Sequence, residues 1–504
     1  GGRAGVVTPP EPGRPGWPPP APGAEPRPQD RPAWLPQPGP GPRRWAPAPP
    51  PEPPRRRVGG LSAILILLLV VGLAAGGLVF ATRRDPAASG ATAAAPATRA
   101  PAGRPPATRA PAASAPTQEI RAVERAVAEL RDLQFERRVP VTVESPTRLA
   151  KRLLGALAEE TNEDRLRRQG RAMEVLGELP PGTDLPRLLR RIQAESVLGF
   201  YLPGRPPRKG GLYVRSNRGL DPYARIILAH ELTHAVTDQR YDLTRADRLA
   251  AQTAREDELA AYSGLAEGDA TLTMQRYLAQ RLTPAEQANA GLVAATERTP
   301  VRDAAPAAIR ESMLFPYQEG LRFVSVLYQR GGWAAVNRAY RDPPTSTEQL
   351  LHPDRYLGDR DRPQPVGVPD LRGRLGGGWH PGVELSFGEF DARLLLQGEL
   401  AVATAQRAAA GWDGGRIRTF RRGHSTALVL RSVWDSSSEA AQFCDAMRGW
   451  ATARFGPATR TGPTPHWSGP AQDTALLCRG PRVAWLSAPD RPTLDRLSTG
   501  LGGP

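Results

Sequence analysis

His230, Glu231 and His234 are the residues best placed to do chemistry in this 504-residue chain. They belong to the pentapeptide His-Glu-Leu-Thr-His at 230–234. On a helix, residues four apart share one face, so two imidazoles at that spacing can grip a single metal ion. The glutamate beside them can take a proton from a water that the metal activates. The chain has six histidines in all, so a chance match to H-E-x-x-H is uncommon. The flanks favour a helix: Asp221-Pro222 reads as an N-cap followed by a first-turn proline. Tyr223 to Val236 is apolar on nearly every side, which marks a buried helix. Polar side chains there need partners, because leaving them unpaired costs several kcal/mol.

A catalytic zinc takes three protein ligands and keeps one position open. No histidine follows His234 until His352, and Cys444 and Cys478 lie far downstream. The next candidates are acids on a second expected helix beginning near Arg255: Glu256, Asp257, Glu258, Glu267 and Asp269. The first three form a charged first turn, which reads as a solvated helix start. Glu267 follows the apolar run 260–266. It precedes Gly268 and Ala270, which let a backbone or an ion come close. Glu267 is the expected third ligand, with Asp269 and the earlier acids as alternatives.

His230-Glu231-x-x-His234, followed by a helix carrying Glu267-Gly-x-Ala, resembles the gluzincin metallopeptidases, whose third ligand is a glutamate on the next helix. Thermolysin-like members orient a histidine with an aspartate four residues after that glutamate. Here the position is Thr271, so Asp238 or Asp269 are the candidates for that task. The resemblance also implies a Tyr or His donor from a distant segment to stabilise the oxyanion; His352 is the first choice, with Tyr317 and Tyr277 as alternatives. A wider similarity rests on Leu130-Arg-Asp-Leu-Gln-Phe, Gly199-Phe-Tyr, Leu212-Tyr-Val, Ala266-Glu-Gly-Asp-Ala, Phe315-Pro-Tyr, Gly331-Gly-Trp and Pro343-Pro-Thr-Ser-Thr-Glu-Gln-Leu-Leu-His-Pro. It points to membrane-anchored actinobacterial metallopeptidase-like proteins, spans roughly residues 118–500 and implies zinc peptidase chemistry without naming a substrate.

The remaining sequence sets the frame. Residues 1–57 are expected to be a disordered, cytoplasmic, proline-rich segment, with 21 prolines in the first 54 positions and no apolar run able to form a core. Residues 61–81 carry no charge and are long enough for one membrane-spanning helix, placed at 58–84. The arginine excess on its N-terminal side predicts a single-pass protein in the cell membrane with a cytoplasmic N-terminus and an extracytoplasmic catalytic region. An Ala/Pro/Thr linker follows at 85–117. The net charge is +16, but the basic residues are dispersed and no nucleic-acid module is present, so nucleic acid is excluded as a partner. A peptide or protein substrate, the membrane and a cell-wall polymer are the partners considered.

The fold class expected is α+β: a zincin-like metallopeptidase domain at 118–360 with its active-site helix, then a smaller α+β domain at 361–504, preceded by the transmembrane helix. Strands at Val197–Leu202 and Leu212–Arg215 are expected just before the active helix, where a sheet edge can bind a peptide as an added strand. A helix over 306–340 should kink at Phe315-Pro-Tyr317 and break at Gly331-Gly332. The C-terminal part should hold a helix over Phe387–Ala409 and a hairpin around Gly423-His424, with Cys444 paired to Cys478 in an oxidising compartment. His380, His424 and His466 are isolated and read as structural or surface residues. The function expected is zinc-dependent peptide hydrolysis with Zn2+ on His230, His234 and Glu267 and Glu231 as general base. The alternatives are a non-catalytic envelope binding protein with a structural or degenerate zinc site, and a hydrolase of a non-peptide bond.

Overall fold

The computed structural model describes residues 115–158, 161–204, 210–217 and 219–501. The proline-rich segment and the apolar run at 61–81 lie outside them, as does nearly all of the linker. The expected fold class is corrected in one respect. Among the described residues no helix is long and apolar enough to cross a membrane. The two longest, of 35 and 26 residues, carry several charges each. What the described residues form is an α+β fold in which no helix spans a membrane.

The chain runs α1 (Ala115–Arg131), β1 (Val141–Glu144), α2 (Pro146–Ala158), α3 (Glu163–Leu176), α4 (Leu185–Ser196), β2 (Gly199–Leu202) and β3 (Gly211–Arg215) into α5 (Pro222–Tyr241), the helix of the H-E-x-x-H motif. There follow α6 (Arg245–Ala251), α7 (Glu256–Arg281), α8 (Pro284–Thr296), α9 (Pro300–Asp303), α10 (Ala307–Arg341), α11 (Thr347–Leu351) and α12 (Pro353–Leu357). The C-terminal part is α13 (Arg372–Leu375), β4 (His380–Ser386), α14 (Glu389–Gln397), α15 (Val402–Ala409), β5 (Trp412–Arg422), β6 (Ser425–Trp434), α16 (Ser437–Phe455), β7 (His466–Ser468), β8 (Asp473–Arg479), β9 (Arg482–Ala488) and α17 (Arg491–Gly500).

The expected N-cap of α5 is present: the Asp221 side chain accepts from the Ala224 amide, and Pro222 occupies the first turn. A small sheet in the order β1-β3-β2 has β1 parallel and β2 antiparallel to β3. Its apolar side chains Phe200, Leu212 and Val214 join Ile226, Ile227, Leu228 and Leu232 of α5 in one core. The helix α7 crosses α10 at glycines. A Cβ on Gly268 would fall 2.1 Å from the Gly320 carbonyl oxygen, and one on Gly320 would meet Gly264 equally closely. Pro316, where a kink was expected, lies inside α10 with helical dihedrals, and non-helical backbone occurs only at Gly331 and Gly332, the latter at φ +58°.

The C-terminal sheet is antiparallel, ordered β4-β5-β6-β9-β8-β7. Strand β6 shows the two-residue period of a sheet covered on both faces. Leu428 and Leu430 join Phe443, Met447 and Trp450 of α16, while Ala427 and Val429 join Leu494 and Leu497 of α17. The helix expected over 387–409 is instead two, α14 and α15, separated at Gly398–Ala401. Cys444 on α16 is bonded to Cys478 on β8, with Cα atoms 6.4 Å apart. The first turn of α7 is not solvated as its charge suggested. Asp257 and Glu258 are 5% and 8% exposed, and Asp257 accepts from the amide and hydroxyl of Thr347.

Two outcomes follow. Replacing Cys444 and Cys478 together by alanine removes a cross-link over 34 residues, and denaturant unfolding should register a loss of about 3–4 kcal/mol. Burial pushes Asp257 up to about 7, eased by the Thr347 hydrogen bonds and reinforced by Asp391 and Glu389. A carboxyl raised above its unfolded value of about 4 gives stability that is whole below that value and is lost as pH rises through its folded value. Stability should therefore fall as pH rises from about 4 to about 7 and level off above it, and Asp257→Asn should flatten that fall in unfolding curves taken across the same range.

Candidate metal centre

Every residue from Tyr223 to Asp238 on α5 is buried except Arg225. His230 and His234 are therefore held without water around them, one helical turn apart. Their Nε2 atoms lie 3.0 Å from each other. Glu267, on α7, brings Oε2 to 3.1 Å from His230 Nε2 and 3.5 Å from His234 Nε2. The three residues are each 1% exposed or less. Ligands about 2.0–2.1 Å from a tetrahedral zinc lie about 3.3–3.4 Å from one another, and the three separations bracket that value. Three lone-pair atoms turned on one point in a dry interior suit a shared cation; at most one imidazole proton could lie between the two rings. The residues present thus fit zinc. Among the described residues this is one of two groups of His, Cys, Asp or Glu with metal-ligand spacing. The other, Glu348, Asp361 and Asp435, is filled by the Arg355 guanidinium, which ion-pairs with all three.

The alternative ligands are engaged elsewhere. Asp269 ion-pairs with Arg131 at 2.6 Å, both fully buried, and accepts from the Tyr340 hydroxyl. Arg131 also donates to Asn337 and lies over the Trp333 ring. Glu256 pairs with Arg165, and Glu258 with Arg245 and Arg255. His230 Nδ1 is buried without a protein partner, so neither Asp238 nor Asp269 orients that ring. Asp238 instead accepts from the Tyr201 hydroxyl and the Leu243 amide.

Glu231 is wholly buried beside the cluster, and neither carboxylate oxygen closes a hydrogen bond. Burial pushes its carboxyl up to about 8; His230 opposes this, Glu267 adds to it, and the Tyr201 amide faces the carboxylate and eases it slightly. Glu267 is pulled the other way. Burial alone would raise it, but His234 and His230 together outweigh that and hold it low. Strand β2 lies directly against the motif, since a Cβ on Gly199 would sit 3.1 Å from Glu231 Cγ and 2.9 Å from Ile227.

The three candidate oxyanion donors separate clearly. Tyr317 on α10 stacks over the His230 ring with centroids 6.1 Å apart. Tyr277 sits beside Arg225, ten residues along α7 from Glu267. His352, the first choice from sequence, hydrogen-bonds through Nε2 to Glu389 at 3.0 Å and lies against Arg393. It is not among the groups gathered at the metal centre. His352, at the junction of α11 and α12, belongs instead to the contact with α14, because buried Glu389 captures its ring. His466 is buried in β7, and His380 and His424 are exposed.

A family described as a domain of unknown function, DUF8575, matches residues 382–498. That stretch covers most of β4 and the rest of the C-terminal sheet with its helices, and leaves the metal centre outside. No curated protein and no solved structure matches the chain.

The geometry sets a simple expectation. Elemental analysis should find one zinc per chain in the wild type and almost none in Glu267→Ala. Zinc retained by the variant would remove Glu267 from the ligand set.

Proposed function

We propose that this chain is a zinc-dependent peptidase. The observation that carries the reading is the convergence of His230, His234 and Glu267 at zinc-ligand separations with Glu231 alongside. Zinc bound there would supply Lewis acidity, lowering the pKa of water toward 7 and polarising a carbonyl. The protein side of the reaction then follows. Glu231, on the same helix as both histidines, takes a proton from the attacking water as its oxygen bonds to the carbonyl carbon. It returns that proton to the amine nitrogen as the C–N bond breaks. Tyr317 is the side chain best placed to donate to the developing oxyanion, since its ring covers His230. The outer edge of β2, against which Glu231 rests, offers main-chain groups to an extended peptide. Three ligands rather than four leave one position open, which favours a catalytic over a structural site. The Cys444–Cys478 disulfide supports an oxidising, extracytoplasmic location.

The test is Glu231→Gln, which keeps size and loses the proton acceptor. In the full chain with a fluorogenic peptide library, it should retain zinc while turnover drops by about 10²-fold or more. Undiminished turnover would end the general-base assignment. Zinc-loaded wild type that cleaves no peptide would favour a binding protein with an inert metal site.

A further inference from the structure

The helix that carries Glu267 begins without a cap of its own. Arg255, at its N-cap, makes no side-chain capping bond, yet the first amides of a helix need acceptors. One comes from 129 residues downstream: the Asp257 amide donates to Ser386 Oγ at 2.8 Å. The Ser386 amide in turn donates to Glu256 Oε2 at 2.9 Å. This is the reciprocal pattern of a capping box, built between two distant segments. The next residues of the same segment continue the contact. A Cβ on Gly388 would fall 1.8 Å from Asp257 Oδ1, so only glycine fits there. The Phe390 amide donates to Thr347 Oγ1, whose own hydroxyl donates to Asp257. The Phe390 ring lies 4.0 Å from that of Phe315, two residues before the tyrosine that covers His230. Three residues of one short C-terminal segment, Ser386, Gly388 and Phe390, therefore touch α7, α11 and α10.

We propose that Ser386–Phe390 is a positioning latch for the metal centre, capping α7 from the C-terminal domain and setting the height of Glu267 against His230 and His234. This rests on the metal-site reading above. A helix is stiff along its axis, and Asp257 stands ten residues, about 15 Å, from Glu267. A change of helix register at the cap is carried to the ligand, and ligands need placement to within about 0.5 Å. The glycine crossing at Gly264, Gly268 and Gly320 fixes how close α7 comes to α10, while the latch fixes where along its axis it stops. The domain matched as one of unknown function thus contributes its first residues to the site's support. Ser386 is a positioning residue and touches no substrate.

The experiment compares full-length wild type, Ser386→Ala and Ser386→Thr by zinc affinity against a competing chelator and by the visible absorption of the Co2+-loaded protein. Ser386→Ala should weaken zinc about tenfold and alter the Co2+ bands, and Ser386→Thr, which restores the hydroxyl, should recover both. Wild-type affinity and Co2+ spectrum in Ser386→Ala, with only a lower melting temperature, would overturn the latch. If that variant does not fold, Thr347→Val, which unties Asp257 from Phe390, is read in the same way. A wild type that takes up neither ion would overturn the metal-site reading itself, and the latch with it.

Discussion

Two imidazoles and a carboxylate turned on one point in a dry interior are the constraint around which the rest of this structure is arranged. Alone, each group would lose its hydration without gaining a full set of partners, at a cost of several kcal/mol. Together, with separations of 3.0–3.5 Å, they are tolerable if a cation neutralises them. The apolar faces of α5 keep water out, which strengthens any charge interaction made there. The same exclusion raises Glu231, so the group assigned as base is one that the protein interior encourages to hold a proton. A dication beside it would favour the carboxylate, and the two effects oppose each other at the residue that must alternate between the two states.

Placement of Glu267 is the harder problem, because it comes from a different helix. Small residues solve the radial part. With no Cβ at Gly268 or Gly320, α7 and α10 approach at backbone distance, and the face of α7 that carries Glu267 is left for α5. The opposite side of the same turn is anchored by Asp269, which is buried against Arg131. That pair has further contacts: Tyr340 donates to the acid, while Asn337 and the Trp333 ring receive the guanidinium, although Arg131 Nη1 closes no hydrogen bond. Such support matters, since a buried ion pair repays its desolvation only when its other contacts are made. Glu267 and Asp269 are thus two buried acids two residues apart, one facing the histidines and the other Arg131, and only the first is free to serve the proposed metal.

Much of this was legible in the sequence wherever the signal is local. The Asp221 cap, the apolar run of α5, the hairpin at Gly423 and the break at Gly331-Gly332 each depend on neighbours within a few residues. Glu267 was singled out over Asp269 for the same reason, from its apolar approach and the glycine after it. What was hidden depends on partners far along the chain. The first turn of α7 reads as solvated because its own sequence is charged; nothing near it announces Ser386 or Thr347. His352 looked available because Glu389, which captures it, is 37 residues away. Strand β4 escaped notice because Pro381 and Gly382 disguise a strand that pairs with β5. The helix expected across 387–409 was interrupted at Gly398, where a continuous pattern of small and apolar residues conceals a change of direction.

The division of labour between the two parts of the chain follows from these distances. The six-stranded sheet has helices on both faces and a disulfide joining α16 to β8, so it is cross-braced independently of the metal centre. Its contribution to the site is made at one corner, where β4 ends and α14 begins. A rigid body that touches a helix start can hold that start in place without taking part in chemistry, which frees the residues nearest the metal to be chosen for reactivity. The N-terminal part holds the buried candidate groups on α5 and α7, with β2, the end strand of the small sheet, packed beside them. In the proposed reading, β2 is the element a peptide would lie against, because its Gly199 is the backbone that comes closest to Glu231 and it ends the small sheet. The glycine contact of α7 with α10 closes the opposite approach at backbone distance, so the two sides of the cluster differ in what they can admit.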